Sequence, residues 1–176
     1  MKRIVVLALI VAVAVGGCSS TGSSRTTVSR TTVSHIAVPS SADKLVCSND
    51  AVSDISASLG VGVTEPLAPT WSGGVYSCRY VFSAGVMVLS VTDHPDAAAA
   101  TAAFTSGQPA DAMTIPAVGQ QAYSLANGSA VVRKDAFVLT IDVSSLPATF
   151  GVPPHPRNID AITVADTILA CWTQDQ

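Results

Sequence analysis

Val75-Tyr76-Ser77-Cys78-Arg79-Tyr80-Val81-Phe82 leads through Ser83-Ala84-Gly85 into Val86-Met87-Val88-Leu89-Ser90-Val91. In the first run the large side chains Tyr76, Cys78, Tyr80 and Phe82 fall at every second position, which puts them on one face of a strand. The second run is apolar and β-branched, and the small residues between the two suit a tight reversal. The stretch predicts an antiparallel hairpin with one bulky face, and such a face needs a layer of other elements to cover it.

Toward the amino terminus, residues 61–74 contain Pro66, Pro69, Gly73 and Gly74 and read as a loop. Before them, Val52, Ile55 and Leu59 share one helical face, Asn49 or Asp50 supplies a cap, and Gly60 stands where a left-handed C-cap belongs. A helix is expected over about 50–59. Toward the carboxyl terminus, Asp93-His94-Pro95-Asp96 reads as a helix start with Asp93 as the cap, and the alanine-rich run Ala97 to Phe104 continues it until Gly107 and Pro109. The linker Ile115-Pro116-Ala117-Val118-Gly119 precedes a strand at Gln121–Leu125. Asn127-Gly128 then predicts a type I′ turn, with φ positive at both central residues. Strands at Ala130–Arg133 and Ala136–Val143 follow, joined by a Lys134-Asp135 turn. After the proline-rich loop 144–157, Asn158 is expected to cap a last helix with Ile159, Ile162 and Leu169 on one face.

The order is thus α-β-β-α-β-β-β-α. Helices alternate with hairpins rather than with single strands, which disfavours parallel crossovers. The expected class is α+β: a two-layer domain in which an antiparallel sheet of about five strands packs against three helices.

At the other end of the chain, Lys2 and Arg3 precede the uncharged run Ile4 to Val15, which meets Gly16-Gly17-Cys18 and then Ser19-Ser20-Thr21. A charged start, an apolar run and small residues before a cut describe a secretory leader. The run is too short for a spanning helix, which needs about 20 apolar residues. Val15-Gly16-Gly17-Cys18 resembles the lipobox of bacterial lipoproteins. That resemblance implies a leader over residues 1–17, a lipid on Cys18 as the first residue of the mature chain, and a membrane as partner on the extracytoplasmic face. At about 0.8 kcal/mol per buried methylene, two or three acyl chains make a stable anchor.

Residues 18–40 are rich in Ser and Thr and repeat Arg-Thr-Thr-Val-Ser at 25–29 and 30–34. With so little bulky apolar surface they are expected to form a disordered tether, whose hydroxyls suit either O-glycosylation or a plain spacer role. Residues 41–176 form the single domain. It carries five basic against twelve acidic side chains, a net charge of −7, which repels nucleic acid. The mean hydropathy of the whole chain, +0.46, comes in part from the leader and for much of the rest from Ala and Val rather than aromatic residues, so a compact Ala/Val core is expected.

Chemistry is harder to find. Gly-x-Ser-x-Gly, His-Glu-x-x-His, Cys-x-x-Cys and a phosphate loop are all missing from the chain, so no catalytic residue, metal ligand or cofactor is expected. His35, His94 and His155 fall in the tether, at a helix start and between prolines. If the domain were a hydrolase, His155 would have to meet a serine and an acid in space. The other reading is a non-enzymatic domain that binds an envelope protein or an apolar small molecule. The candidate binding loop is 144–157 with Phe150, His155 and Arg157, because irregular connections of that length are uncommon in compact domains unless they are functional or disordered. Its alternative is a connection folded over the core.

Once Cys18 is lipidated, three thiols remain in an oxidising compartment, so a monomer can form one bridge among Cys47, Cys78 and Cys171. Chain entropy alone gives about 3.7 kcal/mol for Cys47–Cys78 and about 5 kcal/mol for Cys47–Cys171, and does not choose between them. The layout of Cys47 before a helix ending in Leu59-Gly60, then Cys78-Arg79-Tyr80, then Ile115-Pro116-Ala117-Val118-Gly119-Gln120-Gln121-Ala122-Tyr123 resembles small secreted lipoproteins of mycobacteria and related actinobacteria, including those with an uncharacterised DUF3558-like domain. The resemblance covers most of residues 45–170. It implies a Cys47–Cys78 bridge and an envelope lipoprotein with no defined activity, and that pairing leaves Cys171 over, expected as a buried thiol behind Trp172. Cys171 itself departs from the layout.

Overall fold

The computed structural model describes residues 38–65 and 67–172. Cys18, the leader and the tether as far as residue 37 lie outside the described residues. Among those described, no helix is long and apolar enough to cross a membrane.

The hairpin over Val75–Asp93 lies inside the sheet, one strand in from an edge. Strands β2 (Val75–Phe82) and β3 (Gly85–Asp93) form the expected antiparallel hairpin, with Cys78 opposite Leu89 and Tyr80 opposite Met87. β1 (Thr70–Ser72) adds to β2, and β7 (Phe137–Asp142) adds to β3. β6 (Ala130–Lys134), β5 (Gln121–Ser124) and β4 (Met113–Thr114) continue outward from β7. The result is a seven-stranded, wholly antiparallel sheet in the order β1-β2-β3-β7-β6-β5-β4, accompanied by four helices, and the α+β class is as expected.

One face of the sheet is covered by α1 (Ser41–Leu45), α2 (Asn49–Leu59) and α4 (Arg157–Trp172). Ala51, Ile55 and Leu59 from α2 and Val164, Ala165 and Ile168 from α4 pack on Cys78, Tyr80, Leu89, Leu139 and Ile141. This is the Ala/Val-rich core, in which small side chains let the two helices lie close to the strands. α3 (Ala97–Gly107) lies against the opposite face. Its one large side chain, Phe104, meets Tyr123 with ring centroids 4.9 Å apart, beside Val131. Alternation turns Tyr123 and Val131 away from the main core while Ala122 and Val132 face it, and two bulky residues on the far side give α3 its seat.

Several local expectations shift, each for a visible reason. β3 runs on through Asp93, which pairs with Phe137, so the cap of α3 is Asp96, whose carboxylate accepts the Ala99 N–H at 2.8 Å. α2 is capped by Ser48 rather than Asn49 or Asp50, and α4 starts at Arg157 rather than after Asn158. The type I′ turn falls at Gly73-Gly74, with φ of +59° and +80°. At Asn127-Gly128 only Gly128 has positive φ, +88°. There a three-residue loop forms, closed by Leu125 N–H to Ser129 O at 2.8 Å and Gly128 N–H to Leu125 O at 2.9 Å.

Loop 144–157 contains a two-stranded ribbon, β8 (Thr149–Phe150) and β9 (His155–Pro156), with a cis Val152–Pro153 peptide at its tip. The tip is strapped to the end of α2, where Val152 N–H donates to Leu59 O at 2.8 Å. Gly60 makes that approach feasible. Its φ is +65°, and a Cβ there would collide with the Val152 carbonyl oxygen.

Candidate functional site

The disulfide region is assembled from three elements. Cys47 and Cys78 are bonded, with Cα atoms 5.5 Å apart, inside ordinary disulfide geometry. Cys78 is fully buried on β2, and the short segment between α1 and α2 carries Cys47 down to it. On the same strand face Tyr80 donates its hydroxyl to the Val46 carbonyl at 2.7 Å. Burial pushes the Tyr80 phenol far up, and Cys171 adds to the effect.

Cys171 is half-buried rather than enclosed. It lines an open cleft of about 580 Å³ between α1, α2 and α4, together with Ser41, Lys44, Ser48, Asp50 and Asp54. Its Sγ lies 3.9 Å from Asp54 Oδ2. It stands outward because Trp172 takes the inward position, donating Nε1–H to Ala42 O at 3.0 Å and packing on Phe137. The cleft mixes hydroxyls and both signs of charge with apolar surface from Leu45.

Loop 144–157 does not bring Phe150, His155 and Arg157 to one surface. Phe150 is only 6% exposed and meets Phe82 edge-on at 5.1 Å, so it belongs to the core and is not offered to a partner. Arg157 turns its guanidinium to the carbonyls of Ser144 and Leu146, at 3.2 and 2.8 Å, and thereby closes the loop. His155 alone is exposed. Among the described residues no histidine side chain is hydrogen-bonded to a serine or a carboxylate, and no group of three metal-ligating side chains converges.

Polar groups that sequence reasoning passed over are more informative. Ser129 is buried and donates to Asp142 Oδ1 at 3.1 Å while accepting Val143 N–H. Burial pushes the Asp142 carboxyl up, but hydrogen bonds from Ser144 and Ser129 outweigh it and hold the group below the usual carboxylate range. Asp43 is fully buried; one oxygen accepts Ser40 N–H at 2.8 Å and the other has no partner. Asp93, expected to serve as a cap, has its carboxyl pushed up by burial and then by Asp43, with His94 opposing. Asp160 is likewise buried with one oxygen unpartnered. A capping role explained Asp93 in the sequence, and Asp43, Asp142 and Asp160 carried no pattern there that pointed to burial or hydrogen bonding.

The second face of the sheet is only half-buried over part of its width. Over β2 and β3 it presents Val75, Ser77, Val81, Val86, Val88 and Ser90, all half-buried, with no described helix upon them. Ser77 and Ser90 bridge the strands through their hydroxyls at 2.8 Å, and the exposed Arg79 reaches Glu65 at 3.8 Å, an ion pair that contributes little in water.

The chain matches no protein-family model, no curated protein and no solved structure.

Proposed function

We propose that the protein is a membrane-anchored envelope lipoprotein whose α+β domain is a non-enzymatic module for engaging another envelope protein. The observation that carries the reading is Val15-Gly16-Gly17-Cys18 at the end of a short apolar run, followed at once by Ser/Thr-rich sequence. Lipid on Cys18 fixes the chain to the extracytoplasmic face, and residues 19–40 space the domain from it. The disulfide accords with an oxidising compartment, and the resemblance to small actinobacterial lipoproteins points the same way. Of the two expected occupants, a protein fits better than an apolar small molecule. The cleft is open and carries charged side chains of both signs, whereas the β2–β3 face carries valines and hydroxyls suited to a flat contact.

The test is the intact mass of the protein recovered from membranes, compared between the natural chain and Cys18→Ala. Loss of the diacylglyceryl mass and of membrane retention in the variant is the expected result. A Cys18→Ala protein that still carries the lipid overturns the reading. A photo-crosslinking residue at Val88 should capture a partner protein in the intact envelope, while the same residue at Ser58 on α2 should not.

A further inference from the structure

Asn127-Gly128 forms the loop between β5 and β6, and the loop leaves its reactive parts open. Asn127 is exposed, and its side-chain Oδ1 accepts the Ser129 N–H at 2.9 Å, which draws electron density away from Cγ. The nitrogen that follows Asn127 belongs to a glycine, so no Cβ screens its approach to that carbon. Another residue at 128 would be strained. The φ there is +88°, and a Cβ would stand 3.0 Å from Arg157 Cγ, part of the side chain whose guanidinium closes loop 144–157 on Ser144 and Leu146. The glycine that the fold requires is therefore also the residue that leaves the Asn127 carboxamide open to its own main chain. What restrains the Gly128 nitrogen is a turn bond, its N–H donating to Leu125 O at 2.9 Å.

We propose that Asn127-Gly128 is a self-modifying site, at which the Gly128 nitrogen attacks Asn127 Cγ and the carboxamide nitrogen leaves as ammonia. The new N–C bond closes a succinimide ring while the Cγ–Nδ2 bond breaks, and the proton of the Gly128 nitrogen departs with the ammonia. Water then opens the ring. Cleavage at Cγ gives an aspartyl residue, and cleavage at the main-chain carbonyl gives an isoaspartyl residue. Nothing is oxidised or reduced: a carboxamide and a water become a carboxylic acid and an ammonia. The other asparagines of the chain are placed differently. Asn49 lies in the first turn of α2 before Asp50, and Asn158 in the first turn of α4 before the β-branched Ile159. Helical backbone and the side chain that follows keep their carboxamides from the next nitrogen.

The two products differ in what they do to the sheet. An aspartyl residue keeps Oδ1 as the acceptor for Ser129 N–H and leaves the loop closed. An isoaspartyl residue routes the main chain through Cβ and lengthens the turn, so the closure from Leu125 N–H to Ser129 O at 2.8 Å is lost. Ser129 depends on that closure. It is buried, donates to Asp142 Oδ1 at 3.1 Å and accepts Val143 N–H at 3.2 Å, which ties the loop to the end of β7. The isoaspartyl form therefore withdraws one of the hydrogen bonds that hold the Asp142 carboxyl down against its burial.

The experiment ages the natural full-length chain in mildly alkaline buffer, folded and, in parallel, unfolded in guanidinium chloride, and maps the exchange of ammonia for water by peptide mass spectrometry. In the folded chain the conversion should be confined to Asn127, with Asn49 and Asn158 remaining amides. Its rate should fall within about tenfold of the unfolded rate, the factor that one net hydrogen bond contributes. In the isoaspartyl fraction, separated by ion exchange, a carbon-13 titration should place the Asp142 carboxyl higher than in the unaged chain. Asn127→Gln, whose longer side chain cannot close the same ring, should stay unmodified; should that variant fail to fold, the mapping of the natural chain decides alone. Conversion of Asn49 or Asn158 alongside Asn127 would overturn the site, as would protection of Asn127 by more than about a hundredfold on folding, well beyond one such bond. An isoaspartyl fraction whose Asp142 titrates as before would overturn the link to β7.

Discussion

The hydroxyl of Tyr80 reaches the backbone carbonyl of Val46 at 2.7 Å across 34 positions of sequence, immediately beside the disulfide that joins the next residue, Cys47, to Cys78. Tyr80 is fully buried, so Tyr80→Phe leaves the Val46 oxygen without its donor inside the core. The cost should be about 1–3 kcal/mol, read as a lower urea midpoint with an unchanged slope. Because burial holds the phenol up, Tyr80 should also stay silent in an ultraviolet alkaline titration until the domain unfolds.

Reduction of Cys47–Cys78 should lower stability by about 2–4 kcal/mol, as expected for a loop of this span. Cys78 has no exposed surface while Cys47 is half-buried, so a reductant should attack the bridge at the Cys47 sulfur, with Cys78 as the leaving thiolate. Non-reducing peptide maps should link Cys47 with Cys78; a peptide containing Cys171 in that link contradicts the structure.

Phe150→Ala should cost about 3–5 kcal/mol, the range for an aromatic core truncation, because the side chain fills the space above Phe82. Thermal unfolding measures it directly. A loss below about 1 kcal/mol would return Phe150 to the surface role that the sequence suggested.

Asp142→Asn should destabilise the domain at neutral pH, with the difference from the natural chain shrinking as the solution is acidified. The Asp142 carboxyl sits below its ordinary value, so its contribution is present above the unfolded carboxyl value, about 3.9, and disappears as pH falls through the lower folded value. Paired denaturation curves at about pH 7 and about pH 3 test this. A difference that grows on acidification would mean that Ser129 and Ser144 do not hold the charged form.

The central hairpin was legible because Tyr76, Cys78, Tyr80 and Phe82 are large and their spacing is strict. β1 was not, since three residues next to Pro69 carry no period, and α1, with five residues, is shorter than any reliable helical pattern. The side of the sheet that α3 would choose was hidden as well. A helix built almost wholly of alanine has no preferred face, and only Phe104 meeting Tyr123 decides it. Asp93 reads as a cap until the strand is seen to extend through it to Phe137. The polar sites were the least legible. An acid in a first helical turn looks like a partner for the helix dipole, and only the packing of the folded domain makes Asp160 a buried acid with an unpartnered oxygen. The cleft beside Cys171 likewise depends on α4 returning across most of the domain to α1 and α2.

The disulfide has one more consequence, a mechanical one. A pull on the chain from its amino-terminal side travels through α1 to Cys47 and crosses the sulfur bridge into β2, which is flanked on both sides by hydrogen-bonded strands. Residues 48–77, with α2 and β1 among them, lie inside the covalent loop and bear no tension. Drag on a tethered domain would therefore be carried by the sheet, while the Leu59–Val152 strap at the end of α2 is spared the load.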